Sequence, residues 1–156
     1  MKLTTKGRYA VTLLLDVTML QKNGPVTVPG IANRHDLSAA YLERIAAQLR
    51  AHGLLKSIRG AQGGYLLARP ANEIDLAEVI GAVDEKMDAT KCQGRGNCRD
   101  GKVCLTHHLW DSLNQVILDY LKSISLKDLV EDPGIIHAAK EFYKLLPTPV
   151  LVEEQN

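Results

Sequence analysis

A chain of 156 residues, 46% hydrophobic and 24% charged, has the proportions of an ordinary soluble globular protein with one good core and room for a small second module. No apolar run reaches membrane-span length and the N-terminus lacks a secretory apolar core, so a cytoplasmic location with no membrane partner is expected. The net charge of +1 hides a division: residues 1–70 carry ten Lys and Arg against three acids (+7), residues 71–156 nine against fifteen (−6), as for a polyanion-binding module joined to a regulatory or oligomerising one.

The first predicted helix is capped by Thr4 or Thr5. It carries Ala10, Val11, Leu13, Leu14, Leu15, Val17, Met19 and Leu20 around most of its circumference and ends near Asn23-Gly24-Pro25, so it belongs inside the fold. Its first turn differs: Lys2, Thr4, Thr5, Lys6, Arg8 and Tyr9 are donors suited to phosphates, though the same residues also serve to solvate a helix end. Pro29 marks a second helix start, and Gly30 to His35 leads through Asp36-Leu37 to Ser38, the N-cap of a third helix running through His52 to Gly53. With Leu42, Ile45, Ala46 and Leu49 on one face, this is the pattern of a helix-turn-helix. Ala39 and Ala40 permit close approach. Ser38, Tyr41, Glu43, Arg44 and Gln48 supply polar tips: Arg for guanine, Glu for the cytosine amino group, Tyr and Ser for phosphates. The pattern alone is weak, because many helical hairpins bind nothing.

The adjoining segment strengthens it. Residues 54–58 and 65–68 read as strands joined by Arg59-Gly60-Ala61-Gln62-Gly63-Gly64, a wing whose tip arginine suits a narrow minor groove. No Lys-Ser or Lys-Thr opens a following helix, which excludes a nucleotide-binding P-loop. After Pro70, a short helix from Ile74 to Val83 is expected to pack Ala77, Val79, Ile80 and Val83 inward. All three cysteines come next, as Cys92-x5-Cys98-x5-Cys104-x2-His107, in a segment containing Gly94, Gly96 and Gly101 and few apolar residues. Soft ligands on a short loop suit zinc or an iron-sulfur cluster. Five residues between thiols, rather than a tight zinc knuckle, favour an object larger than one ion, and zinc is kept as the rival. An odd cysteine count and a reducing compartment argue against disulfides.

Thr106 is expected to cap a long helix bearing Leu109, Trp110, Leu113, Val116, Ile117, Tyr120 and Leu121, with His107 in its first turn, where the helix dipole disfavours an imidazolium and leaves the ring able to ligate. His108 would point about 100° further round. The apolar stripe needs a partner, either its own domain or a second copy, and a dimer is the preferred reading because two half-sites gain affinity together. A short helix from Ser125, a break at Pro133, a last amphipathic segment Ile135 to Leu146 and a flexible tail complete the chain. The expected architecture is mainly α. It comprises a winged helix-turn-helix DNA-binding domain (1–70), a connecting helix (71–91), a cluster-binding loop (92–107), a dimerisation helix with C-terminal helices (106–146), and the tail (147–156). No nucleophile-base pair or paired carboxylates stand at informative spacing, so an enzyme is not expected. A free-standing electron carrier would not need the basic winged domain.

The chain resembles the winged-helix transcription-factor family that contains the iron-sulfur cluster regulators, over residues 1 to about 130. The likeness rests on Lys2-Leu3-Thr4-Thr5-Lys6-Gly7-Arg8-Tyr9-Ala10-Val11, on Tyr41-Leu42-Glu43, on Arg59-Gly60 with Gly63-Gly64-Tyr65-Leu66-Leu67, and above all on Cys92, Cys98, Cys104 and His107 followed by Leu109-Trp110. Within that family nitric-oxide sensors share a three-cysteine loop without the histidine, so His107 discriminates. The resemblance implies a homodimeric repressor and activator that senses cluster status through a 2Fe-2S cluster on Cys92, Cys98, Cys104 and His107. It also implies cluster supply by the iron-sulfur assembly machinery and control of cluster-assembly genes from a promoter operator in double-stranded DNA. DNA contacts are expected at Thr4, Lys6, Arg8, Ser38, Ala40, Tyr41, Glu43, Arg44 and Arg59. Ala40 and Arg44 depart from the Ser and Gln common in such regulators. The alternative is a nitric-oxide-sensing or zinc-stabilised regulator of the same fold.

Overall fold

The computed structural model describes residues 4–83 and 88–144. Lys2 of the N-terminal donor cluster, residues 84–87 of the connecting segment, the last two residues of the final expected helix and the 147–156 tail lie outside the described residues. The order is α1 (Thr5–Leu20), α2 (Val28–His35), α3 (Ala39–Ala51), β1 (Leu55–Ile58), β2 (Gly64–Leu67), α4 (Leu76–Val83), α5 (His107–Lys122), α6 (Leu126–Glu131) and α7 (Pro133–Lys144). The architecture is that of a winged helix-turn-helix with added helices, in keeping with the sequence.

Helix α1 is the axis of the core. Its N-cap is Thr4, whose Oγ1 accepts from the Gly7 N–H at 3.2 Å. Ala10, Leu13, Leu14 and Val17 have no exposed surface, and α1 packs against α3, α4, α6 and β2. Thr27 caps α2, with Pro29 in its first turn where a missing N–H costs nothing. The turn into α3 puts Asp36 in the left-handed region (φ 52°, ψ 52°), the Leu37 N–H closes on the Ala32 carbonyl at 2.9 Å, and Ser38 caps α3. Leu42, Ile45, Ala46 and Leu49 are wholly buried, which turns the opposite face of α3 to solvent.

The wing is an antiparallel hairpin pairing Leu55 with Leu67 and Ile58 with Gly64. Tyr65 also exchanges both backbone hydrogen bonds with Val26 (2.9 and 2.7 Å), and the Gln21 side chain accepts from the Leu67 N–H, so the hairpin is anchored to the segment before α2. Gly64 is required there. Its φ is 154°, and a Cβ would sit 2.7 Å from the Val26 carbonyl oxygen.

Two helix starts differ from the sequence reading. Helix α4 begins at Leu76 rather than Ile74, because the Asp75 carboxylate accepts from the Glu78 N–H (2.9 Å) while Ile74 and Leu76 pair with Leu126 and Ile124 across a bridge to the start of α6. Leu76 and Ala82 are buried with Val79, Ile80 and Val83, whereas Ala77 is only half-buried. The break expected at Pro133 falls at Asp132, after α6 ends at Glu131, and Pro133 already opens α7, two residues before the expected Ile135. Asp132 Oδ1 accepts from the Gly134 and Ile135 N–H groups (2.9 and 3.1 Å), and proline suits a first-turn position.

Among the described residues one charged side chain is buried in this core. The Asp16 side chain on α1 has no exposed surface and accepts from Arg34 Nε (3.0 Å) and Nη2 (2.6 Å), contacts His35 Nε2 (2.8 Å), and accepts from the Tyr143 hydroxyl (3.4 Å). Burial pushes its carboxyl up, but the hydrogen bonds and charges of His35 and Arg34 outweigh that and hold it below the usual 3.8. Phe142 stacks on His35 at 4.7 Å, so the end of α7 closes over the ion cluster.

Candidate metal centre and nucleic-acid face

Two tight turns fold the cysteine loop back on itself. Gln93 and Gly94 take positive φ (56° and 76°) as the Arg95 N–H reaches the Cys92 carbonyl, and Arg99 and Lys102 pair around Asp100-Gly101. The loop then enters α5 with the His107 N–H on the Cys104 carbonyl at 3.2 Å. These constraints bring His107 Nδ1 to 3.4 Å from Cys92 Sγ and 3.8 Å from Cys98 Sγ. The three donor atoms of Cys92, Cys98 and His107 all lie within 4.8 Å of one another. Cys104 is not in that mutually close set. Its N–H donates to Cys98 Sγ (3.0 Å), its thiol interacts with the Cys98 thiol, and its Sγ is 3.9 Å from Thr106 Oγ1. The neighbouring His108 ring stands edge-on to His107, 5.8 Å between centroids, outside the set.

The thiols are tuned against one another. Burial disfavours the Cys92 thiolate, but the Gly96 N–H, the Thr90 hydroxyl, the Cys98 thiol and the Gly94 N–H outweigh it and pull this cysteine down to about 6. The Cys104 N–H favours the Cys98 thiolate, yet the Cys104 thiol, burial and Cys92 together push Cys98 up; Cys104 is drawn down, chiefly by Cys98. Three converging thiolates repel, and a cationic centre is what lets all of them ionise. With only sulfur and imidazole nitrogen facing inward, the donor set fits a soft metal or an iron-sulfur cluster and suits neither magnesium nor calcium.

Thr106 stands at the N-cap position of α5 but its side chain caps nothing. Its Oγ1 accepts from Trp110 Nε1 at 3.1 Å and its φ is −104°, so the indole one turn on has taken the oxygen that the N-cap reading gave to the backbone. Sequence reasoning passed over Asp88 and Thr90, just before the loop, and Asn114 of α5, which together brace it, because nothing in local spacing joins residues 26 positions apart. It counted Asp16 only as a charge, although an acid in an otherwise apolar helix was a usable signal.

The residues expected to contact DNA lie at the start of α1, at the N-terminal end of α3 and at the wing tip. Ser38, the N-cap of α3, and Ala40, Glu43 and Arg44 on it are exposed. Tyr41 is half-buried, its ring edge-on to Tyr9 of α1 at 5.8 Å and 5.5 Å from the Arg44 guanidinium carbon. This aromatic contact joins the start of α1, with Thr4 and Arg8 exposed and Lys6 half-buried, to α3. Arg59 is exposed at the wing tip, where the Gly63 N–H closes on the Gly60 carbonyl. Gln48 is half-buried, its carbonyl accepting from the His52 ring. Helix α5 has no buried residue: Leu109, Val116 and Tyr120 are 60–64% exposed, and Trp110 and Leu118 are each 39% exposed. Among the described residues no helix is long and apolar enough to cross a membrane.

Residues 3–132 match the Rrf2 family model, described as iron-dependent transcriptional regulators. The chain is 50% identical over 139 residues to the HTH-type transcriptional regulator IscR of Photorhabdus laumondii, covering 89% of this chain and 85% of that one. It is 48% identical over 136 residues to the IscR of Klebsiella pneumoniae, covering 87% and 83%. Among solved structures it is similar to T. potens IscR (TM-score 0.69, 32% identity, 95% of this chain and 93% of that one) and to CymR, the global cysteine regulator of B. subtilis (TM-score 0.72, 30% identity, 83% and 95%).

Proposed function

The chain belongs to the Rrf2 family of transcriptional regulators, and from that premise we propose that it senses iron-sulfur cluster status through a 2Fe-2S cluster and adjusts promoter binding accordingly. The observation that carries the reading is the convergence of Cys92 Sγ, Cys98 Sγ and His107 Nδ1, with Cys104 beside Cys98, on a loop leading straight into α5. Cys92, Cys98, Cys104 and His107 would hold the cluster. One imidazole in place of a fourth thiolate makes such a centre less negative, raises its potential and leaves one ligand that protons can displace. Lys91, Arg95, Arg99 and Lys102, in and beside the loop, would offset its remaining negative charge.

The DNA-binding half of the proposal places α3 in a major groove, with Ser38, Ala40, Tyr41, Glu43 and Arg44 toward it, Thr4, Lys6 and Arg8 on phosphates, and Arg59 in the adjacent minor groove. The exposed apolar residues of α5 suit a second copy of this chain better than water, and a homodimer would present two recognition helices to a two-fold operator. Because the ligand loop runs into α5, filling the centre biases how the paired heads sit on DNA, provided the two forms differ in affinity. The proposed setting is cytoplasmic, with the iron-sulfur assembly machinery as donor and cluster-assembly genes as targets.

The test is anaerobic purification of the full chain with iron, sulfide and absorption measurements. We expect red-brown protein with about two irons and two sulfides per chain, and loss of colour with altered promoter affinity when Cys92, Cys98 and Cys104 are replaced by Ala. Protein free of iron would sink the cluster reading. Colourless protein with one zinc per chain would transfer the site to a zinc-stabilised regulator, which the compactness of the three-donor set also suits.

A further inference from the structure

Asn114 lies two turns after His107 on α5 and reaches back to the segment that precedes Cys92. Its Oδ1 accepts from the Ala89 N–H (2.7 Å) and its Nδ2 donates to Asp88 Oδ1 (2.7 Å). The same Asp88 oxygen accepts from the Thr90 N–H (2.7 Å) and the Thr90 hydroxyl (2.6 Å). Thr90 is 8% exposed, and its Oγ1 in turn accepts from the Gly94 N–H at 2.7 Å, inside the turn that displays Cys92. An unbroken line of short hydrogen bonds therefore runs from the middle of α5 to the turn bearing the first thiol.

The loop has few other braces. Gln93, Gly94, Gly96, Asp100 and Gly101 all take positive φ, and of the loop side chains only Cys92 and Thr90 are buried. A carboxylate oxygen that accepts three hydrogen bonds is fully engaged, and the orientation of its carboxylate is set by them. The Asn114 amide, clamping an N–H and that carboxylate at once, fits in one orientation only. We infer that Asn114 is a positioning residue for the metal centre: through Asp88 and Thr90 it holds the Cys92 turn in ligating geometry and ties that turn to α5. This inference rests on the cluster reading above and adds to it the route by which loop order reaches the helix. Partners outside a ligand shell alter metal affinity by about 10- to 100-fold.

The experiment compares anaerobically purified wild type with Asn114→Leu, Thr90→Val and Thr90→Ser. It records iron and sulfide content, visible circular dichroism, the rate of cluster loss to a chelator, and the thermal midpoint of each metal-free chain. We expect Asn114→Leu and Thr90→Val to lose cluster about 10-fold faster or more with an altered visible dichroism. Thr90→Ser, which keeps the hydroxyl, should return both to wild-type values, and the metal-free midpoints should stay together. Loaded wild type with variants matching it in loss rate and dichroism would overturn the inference while leaving the cluster reading intact. A loss rate that merely follows a lowered metal-free midpoint would overturn it as well. Wild type without iron and sulfide would overturn the cluster reading, and this inference with it.

Discussion

Replacing Asp16 by Asn keeps the volume of the side chain and removes its charge. The carboxylate is fully buried, while the side chains of Arg34 and His35 are 17% and 18% exposed, so water screens the cluster poorly. It takes two hydrogen bonds from Arg34 and one from Tyr143, beside a 2.8 Å contact with His35, and asparagine would point a donor amide at a guanidinium. Removing one partner of a buried pair costs about 3–5 kcal/mol, a large part of the roughly 5–15 kcal/mol that holds a domain folded. At about 2–4 °C per kcal/mol for a chain of this size, the melting point should fall by roughly 10 °C. Urea denaturation followed by circular dichroism measures the loss, and Asp16→Leu with Arg34→Met should recover part of it, because the Arg34 guanidinium is then not left facing a partner that has lost its charge. Arg34 and His35 end α2 just before the turn into α3, so operator affinity should drop with stability. A loss below about 1 kcal/mol would refute the reasoning, since an exposed pair costs that much.

The same carboxylate sets a pH dependence: its folded-state value lies below the 3.8 of an unfolded Asp, so its stabilisation is complete above that pH and fades as pH falls through the folded value. Acid denaturation of wild type should therefore be steeper below about pH 4 than that of Asp16→Asn, compared by urea midpoints at several pH values. At the wing tip, a Cβ on Gly63 would meet the Ile58 carbonyl oxygen at 2.3 Å and that of Gly60 at 2.8 Å. Gly63→Ala should accordingly open the hairpin, raising amide exchange in β1 and β2 and weakening DNA binding while the α1 core stays protected. Glu43→Ala should broaden the set of operators recovered in a binding-site selection, because a carboxylate facing phosphates repels most sequences and rewards a cytosine amino group; an unchanged selection would count against that role. Val116→Lys, on the exposed face of α5, should shift sedimentation toward monomer without unfolding the chain.

Much of the fold was legible because its determinants are local. Thr4, Ser38 and Ser125 cap the helices that come after them, since each oxygen meets an N–H three residues on. The wing was readable from two short apolar runs around a glycine-rich tip. Asp132 with Pro133 is an equally local signal, at once the break after α6 and the start of α7, whereas the apolar pattern alone begins the last helix only at Ile135. Thr106 shows how a local signal fails: the cap competes with an indole that helix geometry delivers to the same oxygen.

Residue type and order alone determined that three thiols and an imidazole share one glycine-rich loop, that a basic module precedes an acidic one, and which helix faces are apolar. These features come from spacing along the chain, where periodicity and turn chemistry act over a few residues. Only tertiary structure decided that Cys92, Cys98 and His107 form the compact donor set with Cys104 beside it, that Asn114 reaches the Cys92 turn, and that Tyr143 closes on Asp16 from 127 residues away. Those pairings depend on how helices pack about α1, a property of the whole chain that no short window contains.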